Sequence, residues 1–409
     1  MNNPETLGTV LLLVAIVVAS TFVANYGVVS GSSAGLLEED IEEHIEEEMS
    51  QSAAGNMTIP QPIANTIVVG ESPQFLEYNP SNGNMYVSNW DSGDVSVIDS
   101  ATNKVIHTIS VGGAPNVLAY NPSNGNVYVS NLDDVLVIDS NTDKVIHAIG
   151  GGDSPQFLEY SPNNGNIYVG NLADVLVIDS NTDKVIHKTH LRYGPDSLLY
   201  NPSNGNVYVT SVDDAGDPQA GYISVLDNIT NKVIHTVRVG DYPSFTQYNP
   251  SNGYIYVGNE GSNSVSVVNS DTNKVIQTIN VSSGPTFLEY NPRNGNMYVT
   301  SSVDGGSGYL SVIDSDTNKL IYNMSVGDGP RLLEYNPSNG NMYMLDFPKG
   351  QPDLGWSNVS EIDSNTNKVI HSINVNASNP QFLAYNPGNG NMYVGDKDSN
   401  IISIINFTA

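Results

Sequence analysis

The sequence predicts an all-β chain: an eight-bladed β-propeller of four-stranded antiparallel blades, closed by its N-terminal strand and preceded by a hydrophobic helix and a short acidic helix. Three observations predict it. A ten-residue string, YNPSNGNMYV from Tyr78 to Val87, returns with little change at Tyr120, Tyr160, Tyr200, Tyr248, Tyr290, Tyr335 and Tyr385. The spacings are 42, 40, 40, 48, 42, 45 and 50 residues, and each period holds four alternating apolar runs separated by turn residues, the pattern of a propeller blade. Finally, the fourth run follows its own third run only seven times, and the missing copy stands ahead of the first repeat.

Residues 1–30 contain an apolar run from Leu7 to about Ala24, carried by Leu7, Leu11, Leu12, Leu13, Val14, Ile16, Val17 and Val18. It is long enough to span a membrane as a helix. A positive n-region is missing, so the run is a poor secretory signal, although cleavage after Ser20 or Ala34 is compatible with it. Residues 31–62 begin with the joint GSSAG. LLEEDIEEHIEEEM follows, where Leu37, Ile41, Ile45 and Met49 form one stripe amid acid and predict an amphipathic helix. SQSAAGNMTIPQP then reads as linker.

Residues 63–409 are the predicted propeller. In the first period the four strands are PQFLEY, NMYVSN, DVSVIDS and KVIHTISVG, here a, b, c and d. The a–b turn NPSNGN supplies a fixed φ at Pro and a left-handed position at Asn-Gly. The c–d turns DSATNK, DSNTDK and DSDTNK cap the backbone with Asp and Asn. The early ANTIVVG, Ala64–Gly70, matches HTISVG and QTINVS, and is predicted to complete the last blade beside Ile401–Ile405. Turns a–b and c–d share one face and keep their length. Connections b–c and d–a share the other, and b–c varies: SVDDAGDPQAGY, SSVDGGSGY and LDFPKGQPDLGWS. Variable loops on a rigid scaffold are where recognition resides. Tyr222, Tyr309, Phe347 and Trp356 are therefore the expected contacts for a glycan or protein ligand. The paired tyrosines of each period read as packing between blades.

The strand b endings YVSN, YVSN, YVGN, YVTS, YVGN, YVTS, YMLD and YVGD resemble the YVTN-type β-propeller repeats known from archaeal surface-layer proteins. The likeness covers roughly residues 63–405. Seven blades are common in that family, whereas eight copies here imply eight. PETLGTVLLLVAIVVAS is similar to the N-terminal segment of archaeal type IV pilin-like proteins, with Glu5 where pilins often carry a carboxylate. That resemblance implies a helix that forms a filament core. No basic leader precedes it, so a plain membrane anchor remains the other reading.

The formal net charge is −29, with only 14 Lys plus Arg. Seven of these stand at one turn position, from Lys104 to Lys368, so no basic stripe exists for a nucleic acid. Cysteine is absent, which excludes thiol chemistry and disulfides. Sequons at Asn56, Asn228, Asn280, Asn323, Asn358, Asn376 and Asn406 and the apolar N-terminus favour a glycosylated, extracellular address.

Histidine recurs as VIH at His107, His147, His187, His235 and His371, spread too widely around the rim to share a metal. Glu77, Glu159, Glu289 and Glu334 repeat in strand a near the axis. They are cation candidates if they face one channel, and backbone hydrogen-bond acceptors if they point between blades. The c–d turns carry half a calcium-loop spacing at Asp139, Asn141 and Asp143, better read as turn capping. No nucleophile elbow, HExxH, phosphate loop or dinucleotide motif occurs. The near-uniform blades predict no catalytic cluster, no cofactor and no enzyme, a propeller lyase being the minor exception. The expected function is an extracellular structural subunit, a pilin-like filament or surface-layer component that polymerises or anchors through its helix. The alternative is a membrane-tethered binding module for adhesion.

Overall fold

The computed structural model describes residues 65–213, 220–302, 307–346, 357–375 and 377–406. The chain divides into two compact units, Met1–Gln61 and Pro62–Ala409. The first unit lies outside the described residues, and with it Glu5, the apolar run, the acidic helix and Asn56. Phe347, Trp356 and Asn376 also lie outside them. No helix among the described residues is long and apolar enough to cross a membrane.

Thirty-two strands form eight four-stranded antiparallel sheets among the described residues. Blade 1 runs Pro73–Asn79 (a), Asn84–Asn89 (b), Asp94–Asp99 (c) and Lys104–Ser110 (d), paired in that order. Blades 2 to 7 repeat this pattern. In blade 8, Pro380–Tyr385, Met392–Asp396 and Ile401–Ile405 supply a, b and c, and Thr66–Val68 is the outer strand. Its register is Thr66 opposite Ser403, Ile67 opposite Ile402 and Val68 opposite Ile401. Neighbouring a strands touch all the way round, which places them at the axis and the d strands at the rim.

A lone blade exposes both faces, and the ring removes that cost by sharing every apolar cluster between two neighbours. Tyr86, Val95, Val97 and Ile109 of blade 1 meet Leu118, Val127, Val129 and Leu136 of blade 2. Across the closure, Ile67, Tyr393 and Ile402 meet Leu76, Met85, Val87 and Ile98.

The recurring string is explained by hydrogen bonds that each of its residues makes. Asn79 Oδ1 accepts the Ser81 amide at 2.8 Å, and Gly83, at φ 74°, donates its amide to Asn79 O at 2.9 Å. Asn82 Oδ1 accepts the Asn84 amide. Its Nδ2 donates to Tyr86 Oη at 3.1 Å and to Ser140 O, in the c–d turn of blade 2, at 3.0 Å. The Tyr86 hydroxyl in turn donates to Asp143 Oδ1 of that turn at 3.1 Å. Asn124, Asn164, Asn204, Asn252 and Asn294 reach the next blade in the same way. At the closure Asn389 donates to Ser100 O at 2.7 Å. The strand a tyrosines form a second latch, as when Tyr160 meets Ser123 Oγ and Tyr385 meets Ser338 Oγ, of the preceding blade. The strand b tyrosines are fully buried, so they are packing residues as expected.

One junction departs from this pattern. Blade 8 has no c–d turn, because its d strand comes from the other end of the chain, so blade 7 finds no turn to bond. There SVID becomes SEID, and Glu361 occupies the position held by Val97 in blade 1. Its carboxylate is 4% exposed. Oε1 accepts Asn339 Nδ2 at 2.9 Å and Asn341 Nδ2 at 2.8 Å, and Oε2 meets His371 Nδ1 at 2.8 Å. Glu361→Val, which restores the repeat, removes an acceptor shared by two half-buried side-chain amides, of which Asn339 keeps only Tyr343 Oη. It is expected to destabilise the ring by about 1–3 kcal/mol in urea unfolding, although it adds apolar surface. An unchanged midpoint would remove Glu361 from this role.

Candidate functional site

In six blades, 1 and 4 to 8, strand a starts at the d–a face with a β-bulge that sets one residue aside after Pro, as at Pro73/Phe75 and Pro243/Phe245. Bulges re-aim side chains at strand ends. Here they ring the mouth of the axial channel. A cavity of about 610 Å³ opens there, lined by Phe157, Asp196, Tyr242, Ser244, Phe245 and Glu260 among others. A second, of about 300 Å³, shares Phe245 and Glu260 and continues to Thr286, Arg331 and Gln381. Together they span blades 3 to 8.

Tyr242 is the unusual residue of this mouth. Blades 1, 2 and 3 carry Ser72, Ala114 and Ser154 at this site before Pro, all at positive φ. Tyr242 adopts φ 47° with a bulky side chain, a conformation that costs on the order of 1 kcal/mol. It is 43% exposed. A compensating change sits beside it. In blade 1 the Ser72 hydroxyl donates to Asp91 Oδ2, whereas blade 5 has Gly261 in the place of Asp91, and a Cβ there would lie 2.8 Å from the Tyr242 ring. The glycine makes room for the ring. Phe245 is 39% exposed and tilts against Phe287 with centroids 5.1 Å apart. Ser244 Oγ is buried without a hydrogen-bond partner among the described residues.

Behind the mouth lie the four axial glutamates. Glu77 Oε1 accepts the Tyr120 amide at 3.4 Å, Glu159 Oε1 that of Tyr200 at 3.0 Å, and Glu334 Oε1 that of Tyr385 at 3.2 Å. Gln247 Nε2 reaches Glu289 Oε2 at 3.5 Å. Each carboxylate bonds toward a neighbouring blade, and no three acidic or histidine side chains form a metal-holding group among the described residues. The reading as backbone acceptors describes Glu77, Glu159 and Glu334. Burial pushes these three up to about 7, and Glu289 is raised by burial and by neighbouring Glu334. In blade 7, burial pushes Asp346 up to about 8.

The other sequence expectations separate. Tyr222 lines a third cleft, and half-buried Tyr309 pairs with Ser325 on the outer strand, away from the mouth. Asp139 Oδ1 caps the Asn141 amide while Asp143 bonds Tyr86 and His107, so the half calcium loop is divided between turn and interface. The described histidines sit on outer strands, where His147 meets Asp183 at 2.5 Å. Asn280, Asn323 and Asn406 are exposed, and Asn228 and Asn358 half-buried. Sequence reasoning missed Tyr242 and Phe245. A comparison of the d–a connectors would have found the tyrosine.

No protein-family model and no curated protein matches the chain. Solved structures do. The chain is similar to Kuenenia stuttgartiensis hydrazine synthase at 17% identity and TM-score 0.56, over 87% of this chain and 99% of that one. It is also similar to dihydro-heme d1 dehydrogenase NirN in complex with DHE, at 15% identity and TM-score 0.64, over 81% and 73%. At these identities the likeness establishes the eight-bladed all-β fold alone. It nevertheless corrects one expectation. The exclusion of an enzyme rested on near-uniform blades, and both of these propeller structures carry the names of enzymes. Uniform blades therefore give no ground for excluding catalysis.

The raised carboxyls give a pH dependence whose sign is fixed. Below the ordinary glutamate value of 4.5 the folded and unfolded chains both hold these protons. Between there and about 7 the unfolded chain releases protons that the folded ring retains, so stability falls as pH rises, then levels. Asp99, Asp227, Asp314 and Asp363 act oppositely: hydrogen bonds from Thr hydroxyls, then Thr amides, hold them below the usual range, and their contribution fades as pH drops through that lowered range. The melting temperature is expected to peak near pH 4–5 and decline toward pH 7. Glu159→Gln should flatten the decline by an amount on the order of 1 kcal/mol, and a profile rising steadily to pH 8 would contradict the assignment.

Proposed function

We propose that this chain is a cell-surface propeller that its N-terminal apolar segment anchors or assembles, and that binds a glycan at the axial mouth of its variable face. The observation that carries the reading is the coincidence, in one opening, of a cavity of about 610 Å³, an aromatic pair whose Phe245 is exposed, and a strained tyrosine accommodated by its own glycine. Aromatic faces stack on sugar C–H surfaces, and Asp196, Ser244, Glu260 and Arg331 supply polar groups for hydroxyls. The outer strand of blade 8 starts at the constant face, so Thr66 and the mouth stand at opposite faces of the propeller. The resemblance to surface-layer repeats and to pilin-like segments supports the same address, with a filament or surface-layer subunit as the form of assembly. The fold also carries enzymes, so ligand turnover belongs in the same assay.

Glycan-array screening of the full chain is expected to give a defined set of ligands. Tyr242→Ser and Phe245→Ala should each weaken binding about ten-fold, the loss of roughly one aromatic contact, with melting temperatures unchanged to within a few degrees. Ligands whose affinity ignores both changes would place recognition elsewhere. Removing residues 1–30 should release soluble single particles, and persistence of polymers or membrane association would refute the tether.

A further inference from the structure

The repeat provides an internal control for every position, and one cleft collects departures from it. Between strands d and a, most blades are joined by small or acidic residues: Gly70–Glu71, Gly112–Gly113, Gly152–Asp153, Gly240–Asp241, Ser282–Ser283. Between blades 3 and 4 the same two positions are Arg192 and Tyr193. The position held by Asp94, Asp134 and Asp174 in strand c of blades 1 to 3 is taken by Tyr222 in blade 4. Strand d of blade 3 carries Lys188 and His190 where blade 1 has Thr108 and Ser110. Four of the five, His190, Arg192, Tyr193 and Tyr222, meet at one place, and Lys188 stands behind it on Asp174.

That place is a cleft of about 340 Å³ between blades 3 and 4, at the outer edge and distinct from the axial mouth. Tyr193 and Tyr222 stack with centroids 5.6 Å apart and planes 22° apart. The Arg192 guanidinium lies 5.1 Å from the Tyr193 centroid, over its ring, a contact that orients the charge. His190 lines the cleft beside the hydroxyl residues Ser211, Ser224 and Thr236. Asp174 fixes the basic strand from behind, with Oδ2 at 2.6 Å from Lys188 Nζ and Oδ1 at 2.8 Å from His190 Nδ1.

Charge makes the cluster significant. The chain holds 14 Lys plus Arg against 43 Asp plus Glu, and beyond the c–d turns few basic residues remain. Lys188 and Arg192 lie within five residues, and Arg238 is opposite Tyr222 in the sheet. A chain this acidic repels anions at long range, but screening confines that repulsion to about 8 Å at physiological salt. Within that distance Lys188 is paired with Asp174 and Arg238 lies 3.8 Å from Asp241, so Arg192 is the cation the cleft offers a ligand. A ligand that uses the whole cleft needs an apolar face for the tyrosines, hydroxyls for the serines and threonine, and a carboxylate for Arg192 and His190.

We propose that this cleft binds a sugar carrying a carboxylate, a uronic acid unit, through the Tyr193–Tyr222 pair and Arg192. The site is separate from the axial mouth, and the inference does not depend on what the mouth binds.

The test titrates the full chain, by calorimetry, with a galacturonate tetramer and with its methyl ester, which keeps the rings and removes the charge. The acid is expected to bind at least ten-fold more tightly than the ester. Arg192→Gln should abolish that preference while leaving ester binding intact. Tyr222→Ser, the residue type that begins strand c in blade 5, should weaken both about ten-fold. Phe245→Ala, at the axial mouth, should change neither, and unaltered melting curves would show that the variants fold. Equal affinity for acid and ester, no binding of either, or a preference that survives Arg192→Gln would each overturn the proposal. Loss of binding in Phe245→Ala alone would assign the ligand to the mouth instead.

Discussion

The structure depends on the side-chain amide of the second asparagine in the a–b turn of every blade but the seventh. That one group closes its own turn through its oxygen and bonds the next blade through its nitrogen, as Asn82 does with the Asn84 amide and Ser140 O. Local turn geometry and ring assembly are thereby the same event. A substitution there would cost a turn and an interface together, which is why the a–b and c–d turns keep their length while the b–c loops vary. A constant face made of interlocking turns leaves little freedom for ligand contacts. The opposite face has no such stitch, and both the axial mouth and the outer cleft are built on it.

Much of this architecture was legible in the sequence because the repeat reports the same local physics eight times. The four runs, the turns and the closing role of Thr66–Val68 follow from pattern and from a missing outer strand. The blade count follows as well, since a closed ring must use each copy. The sites were legible only in part. Tyr222 stands beside a loop of variable length, whereas its partner Tyr193 sits in a d–a connector that a comparison of loop lengths does not single out. Tyr242 was hidden for another reason: nothing in a single residue reveals that its backbone is left-handed or that Gly261 has yielded space to it. Both become visible when each blade is compared with its siblings instead of with a motif.

The axial glutamates show the limit of reasoning from residue type. Four carboxylates near an axis suggest a cation, yet three of them accept backbone amides from the following blade. Blades 2 and 8 carry Ala119 and Ala384 at the equivalent ring position. The surroundings of the glutamates, not their number, determine their chemistry. The same lesson applies to catalysis, which sequence uniformity seemed to exclude although the fold hosts it elsewhere.

Glu361 marks where the circle was cut. Its carboxylate stands in for the c–d turn that blade 8 lacks, so the place where the ring closes is written into a strand of the neighbouring blade. A chain reopened at a different junction, with the present ends joined, would inherit a buried acid beside a newly formed turn that already satisfies Asn339. At the new opening, an asparagine amide and a tyrosine hydroxyl such as those of Asn82 and Tyr86 would lose the turn they bond. Moving the opening of this ring therefore requires moving one charge with it.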